Sequence, residues 1–296
     1  MFKKIYSAFC RENIVGKFIY ANVAVYIIAA FIGVFATLLN AKMQVSAFMQ
    51  WFELPASLSQ LACQPWSLLT YMFVHERLMH ILFNMLMLYG FGRIFLSFFS
   101  VRHFVGVYVL GGIVGGLFFV LAYNLFPYFS GVVEHSTLVG ASASVLAVVV
   151  AAAVRSPNYT VRLMLLGSMR LVTVAVVIVV ISLLLLASEN AGGNFAHLGG
   201  AFAGWLFAFM LNKGKDVTLF INRVIDFFAT LFKRVPKKSK PKFNFYKNDR
   251  AADYEYNAKK KENDAEIDRI LEKVKAGGYS SLTDEEKRRL FDASRS

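Results

Sequence analysis

The sequence has little cysteine and, over most of its length, little acidic charge. Only two of the 296 residues are cysteines, and Cys10 and Cys63 match no spacing typical of metal ligands or of a disulfide framework. Residues 1–232 hold 7 acidic residues and 14 Lys or Arg, whereas residues 233–296 hold 12 and 18. This distribution excludes an ordinary cytosolic enzyme, a disordered chain and a nucleic-acid-binding module whose net charge of +13 would lie on one folded face.

The sequence is rich in apolar residues, which make up 57% of the chain and raise its mean hydropathy to +0.51. A membrane-spanning helix needs about 20 mostly apolar residues. Six runs approach that requirement: Phe18–Leu39, Trp66–Phe95, Val101–Leu125, Thr137–Val154, Leu171–Ala187 and Asn194–Leu211. We therefore predict an all-α membrane protein built as a bundle of six transmembrane helices.

Basic residues in the short loops predict the orientation, because Lys and Arg are retained on the cytoplasmic side during insertion. If the N-terminus is cytoplasmic, the outer side holds only Lys42 and Arg77. The cytoplasmic side then holds Lys3, Lys4, Arg11, Lys17, Arg93, Arg102, Arg155, Arg162, Arg170, Lys213 and Lys215. Both termini are expected in the cytoplasm.

Four regions follow from these patterns. They are an interfacial amphipathic segment (1–17), the transmembrane domain (18–212), an interfacial helix from Asp216 with a basic linker (213–248), and a charged helical tail (249–296). The linker either binds anionic lipid or is solvated. In the tail, Gly277-Gly278 ends one helix, and Thr-Asp-Glu-Glu286 is a capping box that begins another. The tail is either a docking element or a solvated appendix.

Polar residues inside apolar runs are costly and often mark function. His80 and Asn84 are four residues apart and share a helix face, Ser142 lies near the start of the fourth run, and His197 lies in the sixth. Taken singly, each is accounted for by interhelical hydrogen bonding or packing. Together they supply a nucleophile, a base and two polar donors at corresponding depths below the outer surface.

Chemistry assigns the roles. A serine hydroxyl needs a neighbouring base, and His197 is the best candidate to activate Ser142 because the spans offer no lysine. The glutamates near the outer face lie in or next to loops, so we predict a Ser-His dyad without a third carboxylate. Gly140 allows a tight entry into the helix, which leaves the Ser142 N–H near a helix N-terminus. His80 and Asn84 are predicted to complete an oxyanion site.

These motifs resemble those of the rhomboid family of intramembrane serine proteases over approximately Phe18 to Leu211. The matching motifs are His80-x-x-x-Asn84, Gly140-Ala-Ser142 and Ala196-His197-x-x-Gly200-x-x-x-Gly204. The resemblance implies a six-helix rhomboid bundle in which Ser142 is the nucleophile and His197 the base. Gly200 and Gly204 form a small-residue face for close helix packing.

The resemblance carries three further expectations. His75 matches a family histidine near the cavity mouth. Ala143 stands where the family commonly has Gly, and its methyl group is expected to narrow the cavity without removing a catalytic group. The tail from about Asp249 to Ser294 is similar to an appendix of some bacterial members, which predicts a multi-pass protein of the bacterial inner membrane.

The expected activity is hydrolysis of peptide bonds in or near the transmembrane segments of other proteins, with membrane lipids as further partners and no nucleic acid. No cofactor or metal is implied, because the dyad, oxyanion donors and water complete the reaction. Two alternatives remain open. One is a catalytically inactive rhomboid-like protein that binds transmembrane clients, and the other is a transporter in which His80, Asn84 and His197 line a path.

Overall fold

The computed structural model describes residues 13–163, 167–232 and 250–293. The chain divides into two compact units, residues 1–233 and residues 234–296. The predicted interfacial segment before residue 13 and the predicted basic linker after residue 232 lie outside the described residues.

The described part of the chain is mostly helical. In the first unit the α-helices are α1 (Ile14–Leu38), α2 (Lys42–Gln50), α3 (Leu58–Cys63), α4 (Ser67–Thr70), α5 (Leu78–Phe98), α6 (Val101–Leu125), α7 (Ser142–Arg155), α8 (Leu171–Leu184), α9 (Ala191–Asn212) and α10 (Leu219–Phe232). The second unit contains α11 (Arg250–Gly277) and α12 (Asp284–Ala293). Single 3-10 turns are at Tyr71–Phe73, Pro127–Phe129, Val133–His135 and Tyr279–Ser281.

Four of the described helices, α1, α5, α6 and α9, are long and apolar enough to cross a membrane. The chain is therefore a multi-pass membrane protein. The apolar helices α7 and α8 have 14 residues each. At 1.5 Å per residue each is about 21 Å long, shorter than a hydrocarbon core of about 30 Å.

The described residues form two antiparallel strand pairs, one between segments far apart in the sequence and one between neighbouring segments. β1 (Leu54–Pro55) pairs with β2 (Thr137–Leu138), and β3 (Thr160–Leu163) pairs with β4 (Gly167–Arg170). In the first pair Leu54 is opposite Leu138. This pair joins the loop after α2 to the segment that leads into α7.

Two of the predicted spans are wrong as single helices. The run Trp66–Phe95 contains α4 and a 3-10 turn before α5 begins at Leu78. In the 3-10 turn, Tyr71 and Met72 are each 1% exposed. The apolar character of this part of the run therefore reflects burial inside the protein and not contact with lipid. The run Thr137–Val154 begins as β2, and its helix starts only at Ser142.

Small residues bring α7 into close contact with α6 and α9. A Cβ atom placed on Gly200 or Gly204 of α9 would overlap the carbonyl oxygen of Ala143 or Ala147 in α7. On the other side, a Cβ on Gly115 of α6 would lie 2.5 Å from the Ala143 Cβ. Small faces of this kind allow helix backbones to approach where hydrophobicity does not drive association.

The helix predicted after the last span is confirmed as α10. It packs on the start of α6, where Asn222 Nδ2 donates to the Arg102 carbonyl at 3.3 Å. Arg102 also forms an ion pair with Asp226 of α10 at 3.4 Å.

The predicted helical hairpin of the tail is confirmed within the second unit. Gly278, with φ of +73°, follows the end of α11. The Thr283 N–H donates to Glu286 Oε2 at 2.9 Å, and the Glu286 N–H donates to Thr283 Oγ1 at 3.4 Å. This reciprocal pair is the expected capping box at the start of α12. Lys273 of α11 joins the two helices through an ion pair with Glu286 at 2.5 Å.

Candidate active site

A cavity of about 250 Å³ lies among α5, α7, α8 and α9. The four polar residues that the motifs singled out all line it: His80, Asn84, Ser142 and His197. The rest of the lining consists of Phe83, Met87, Val139, Val145, Leu146, Val149, Ile178, Asn190 and Gly193. Since one water occupies about 30 Å³ of liquid volume, the cavity has room for several water molecules beside these polar groups.

Helical periodicity accounts for this lining. From α5 the cavity takes residues 80, 83, 84 and 87, and from α7 it takes residues 142, 145, 146 and 149. Both sets follow the i, i+3, i+4, i+7 spacing of a single helix face. The α7 set begins with its polar residue, Ser142, and the α5 set has its polar residues, His80 and Asn84, at the first and third positions. Each helix therefore combines polar groups with apolar side chains on the surface that faces the cavity.

Ser142 is the first residue of α7, immediately after the N-cap residue Ala141. Its backbone N–H is therefore one of the donors that have no partner inside the helix, at the positive end of the helix dipole. Gly140 has φ of +117°, and a Cβ atom there would lie 2.6 Å from His80 Cε1. Both the backbone conformation and the contact with the imidazole require glycine at this position.

The resemblance led us to expect His75 near the cavity mouth, and its ring lies 5.1 Å from that of His80, which lines the cavity. His75 itself is 4% exposed and is absent from the cavity lining. Its Nε2 accepts the Ala141 N–H at 3.4 Å, and its Nδ1 lies 3.4 Å from the Phe73 carbonyl oxygen. His75 therefore fixes the position of the loop that leads into Ser142. A second hydrogen bond fixes the same loop, because the Gly140 N–H donates to the Tyr71 carbonyl at 3.0 Å.

His197 lies on α9, and its Nδ1 is 3.2 Å from Ser182 Oγ on α8. Within the described residues, the hydrogen-bond partner of His197 is this serine and not Ser142. Sequence reasoning missed Ser182, although a hydroxyl in the second half of the apolar helix α8 was a signal of the kind used for the other spans. It also missed Asn190, which lines the cavity next to α9.

The two residues immediately after Ser142, Ala143 and Ser144, are not among the residues that line the cavity. Ala143 is 1% exposed and packs against α6 at Gly115, so the expectation that its methyl group narrows the cavity is wrong. Ser144 is fully buried, and its hydroxyl has no hydrogen-bond partner among the described residues. A Cβ on Gly112 of α6 would lie 2.7 Å from that hydroxyl, which places Ser144 on the α6 side of α7.

Two carboxylates in loops near the site, Glu53 and Glu134, have partners outside the cavity. Glu53 Oε2 accepts the Thr137 hydroxyl at 2.7 Å, and Glu134 Oε1 accepts the Ser57 hydroxyl at 3.2 Å. Burial raises the pKa of the Glu53 carboxyl, the hydrogen bond from Thr137 opposes this effect, and the charge of Glu76 adds to it. Over the ranges that the structure describes, no group of three His, Cys, Asp or Glu side chains is arranged to hold a metal ion.

Two family models match parts of the chain. The family model described as "Rhomboid domain" matches residues 62–214, which include α4 to α9. A model described as "Family of unknown function (DUF6576)" matches residues 251–296. No curated protein matches the chain. Because the first match covers more than half of the sequence and includes every residue of the candidate site, the chain belongs to the rhomboid family.

Proposed function

We propose that this protein is an intramembrane serine endopeptidase. The observation that carries the proposal is the cavity in which a serine at a helix N-terminus, a histidine from another helix and two further polar side chains face one another inside a rhomboid-family bundle. A hydroxyl, a base, oxyanion donors and water are the components of hydrolytic acyl transfer.

In the proposed mechanism, Ser142 Oγ attacks the carbonyl carbon of the scissile peptide bond while His197 takes its proton. The protonated imidazole then donates that proton to the leaving amine, and a water molecule that enters the cavity hydrolyses the acyl-enzyme with the same histidine as base. His197 must be neutral at the start of the cycle. The transfer of the Ser142 proton requires the two side chains to come within hydrogen-bonding distance when substrate binds.

The negative charge that develops on the carbonyl oxygen is stabilised by the Ser142 N–H, His80 and Asn84. The first is a free donor of the helix N-terminus, and the other two side chains line the same cavity. Each oxyanion donor contributes about 3 kcal/mol of transition-state stabilisation in other hydrolases.

The proposed topology has six spans, formed by the four long helices together with α7 and α8. Both shorter helices are apolar, and α7 lies within the packed bundle. The distribution of Lys and Arg supports cytoplasmic termini, which places the N-terminal end of α7, and thus Ser142, toward the outer face. A bacterial inner membrane fits this arrangement.

The substrates we propose are other membrane proteins, cleaved in or near a transmembrane segment. A regular helix has its carbonyl groups engaged in internal hydrogen bonds, so cleavage requires local unwinding, and small or helix-weakening residues at the cleavage site favour it. Membrane lipids surround the bundle as further partners.

The test is cleavage of a panel of single-span substrates by purified full-length protein in liposomes. Wild type is expected to release the fragments, and Ser142→Ala is expected to release none. Ser144→Ala serves as the matched control, because the Ser144 hydroxyl lies on the α6 side of α7 and has no hydrogen-bond partner in the described part of the chain. Cleavage by Ser142→Ala would contradict the proposal. Substrate binding without cleavage by wild type would favour an inactive client-binding member, and solute flux without cleavage would favour a transporter.

A further inference from the structure

Ser182 is a polar residue in an apolar helix, and its position is not explained by the dyad. It is 2% exposed, on a helix whose other buried residues are Leu171, Val174 and Ala175. Its hydroxyl is 3.0 Å from the Ile178 carbonyl oxygen of its own helix and 3.2 Å from His197 Nδ1 of α9. It therefore joins α8 to the histidine that we propose as the base.

The Ser182–His197 contact has a direction that depends on the imidazole tautomer, and the second hydrogen bond of Ser182 favours one direction. The hydroxyl has a single proton, which it donates to the Ile178 carbonyl oxygen at 3.0 Å. Ser182 Oγ is then an acceptor for His197, which requires a proton on His197 Nδ1. In a neutral imidazole the other nitrogen, Nε2, is consequently unprotonated. This is the tautomer in which Nε2 accepts a proton from a serine.

We propose that Ser182 is a positioning residue for His197. It holds the imidazole in the tautomer with Nδ1 protonated and keeps the ring in the orientation in which Nε2 serves Ser142. This inference rests on the proposed function, because it assigns to a hydroxyl the role that an acidic residue has in a Ser-His-Asp triad.

A hydroxyl suits this place in a membrane protein. A carboxylate buried at this depth would carry a large desolvation cost, whereas the Ser182 hydroxyl satisfies its own donor within α8 and presents a neutral acceptor. A neutral acceptor stabilises the imidazolium less than a carboxylate does. Removal of Ser182 is therefore expected to slow the reaction by about tenfold, far less than the roughly 10⁴-fold loss seen when a triad aspartate becomes asparagine.

The first test reads the tautomer directly and does not depend on activity. Full-length protein with ¹⁵N-labelled histidine is examined by NMR in lipid at a pH where the ring is neutral, and the His197 signals are assigned by their loss in His197→Gln. Wild type is expected to show Nδ1 protonated and Nε2 unprotonated, and Ser182→Ala a mixture of tautomers. A protonated Nε2 in wild type, or an unchanged spectrum in Ser182→Ala, would overturn the proposal.

The second test measures cleavage by Ser182→Ala, Ser182→Thr and the control Thr173→Ala, which removes an exposed hydroxyl from the same helix. Ser182→Ala is expected to lower kcat about tenfold with KM within twofold, while Ser182→Thr, which keeps the hydroxyl, and Thr173→Ala retain wild-type rates. Wild-type kcat in Ser182→Ala would refute the proposal. A folded Ser182→Thr that is as slow as Ser182→Ala would also refute it, because the hydroxyl would then not be the cause.

These two readouts separate the inference from the function on which it rests. If wild type has the expected tautomer but cleaves none of the substrate panel, the proposed protease fails and the assignment of the hydrogen bond stands. If wild type cleaves and Ser182→Ala matches it in both rate and spectrum, the protease stands and the positioning role fails.

Discussion

Two of the helices around the candidate site, α7 and α8, are held in opposite ways. α7 lies between α6 and α9 with backbone-to-backbone contacts through glycine and alanine, and residues 143–153 are all buried. In α8 the buried residues Leu171, Val174 and Ala175 are near the start, and Ser182 is the buried residue of the second half. Ser142, the proposed nucleophile, is thus positioned by close helix packing, whereas α8 contacts His197, the proposed base, through a single hydrogen bond.

The difference has a physical basis in the membrane. In the proposed six-span topology lipid surrounds α8. Because lipid tails are as apolar as Leu or Val, the large apolar side chains of α8 gain little by leaving lipid for protein. Close approach of small residues gains dispersion contacts, and a buried hydrogen bond gains because its partners have no water to return to. Substitutions that add volume where α7 meets its neighbours should therefore destabilise the fold much more than substitutions that remove volume from α8.

The largest effect is expected from Gly200→Val. Its side chain would overlap the Ala143 carbonyl oxygen, force α9 away from α7, and destabilise the fold by about 3 kcal/mol. Thermal unfolding in detergent measures this, with Gly90→Val as the matched control, because a Cβ on Gly90 of α5 meets nothing within 4 Å. Equal losses in the two variants would show that α7 and α9 are not held by close contact.

A smaller effect on stability but a large one on activity is expected from Gly140→Ala. The added methyl group would lie 2.6 Å from His80 Cε1, so the imidazole must move, and cleavage is expected to fall by about a hundredfold if His80 is an oxyanion donor. Gly214→Ala is the control, since Gly214 also has positive φ (+76°) but open surroundings. If Gly140→Ala cleaves substrate as fast as Gly214→Ala does, His80 is not an oxyanion donor.

The smallest effects are expected within α8. Val174→Ala removes a side chain that is 7% exposed, and its cost should be about 1 kcal/mol, whereas Val180→Ala, at 44% exposed, should change the free energy of unfolding by less than about 0.5 kcal/mol. Unfolding of both variants under identical detergent conditions gives the difference. A Val180→Ala loss as large as that of Val174→Ala would show that α8 is more extensively packed than described.

Part of the site follows from sequence periodicity. The four-residue spacing of His80 and Asn84 predicts a shared helix face, and both residues line the cavity. The boundaries of the helices before them do not follow in the same way. Tyr71 and Met72 are apolar because they are buried in protein, and hydropathy alone does not distinguish such a buried stretch from a membrane span.

Contacts between distant segments were beyond the reach of local patterns. The fourth predicted span is shortened at its start because Thr137 and Leu138 form a strand instead of a helix. Leu138 pairs there with Leu54, which lies more than eighty residues earlier in the chain. The hydrogen bond of Ser182 to His197 depends on how α8 is oriented against α9, which no periodicity in either helix determines. His75 was expected near the cavity mouth, but no pattern in the sequence indicates that its imidazole accepts the Ala141 N–H in the loop before Ser142.

The most direct test of the account is covalent trapping of the nucleophile by a fluorophosphonate, followed by mass spectrometry of the labelled peptide. The adduct is expected on Ser142 in wild type and Ser144→Ala, and is expected to be absent in Ser142→Ala and strongly reduced in His197→Ala, because an unactivated serine hydroxyl is a weak nucleophile. An adduct on Ser144, or equal labelling of Ser142 with and without His197, would contradict the claim that these two residues act together across the cavity.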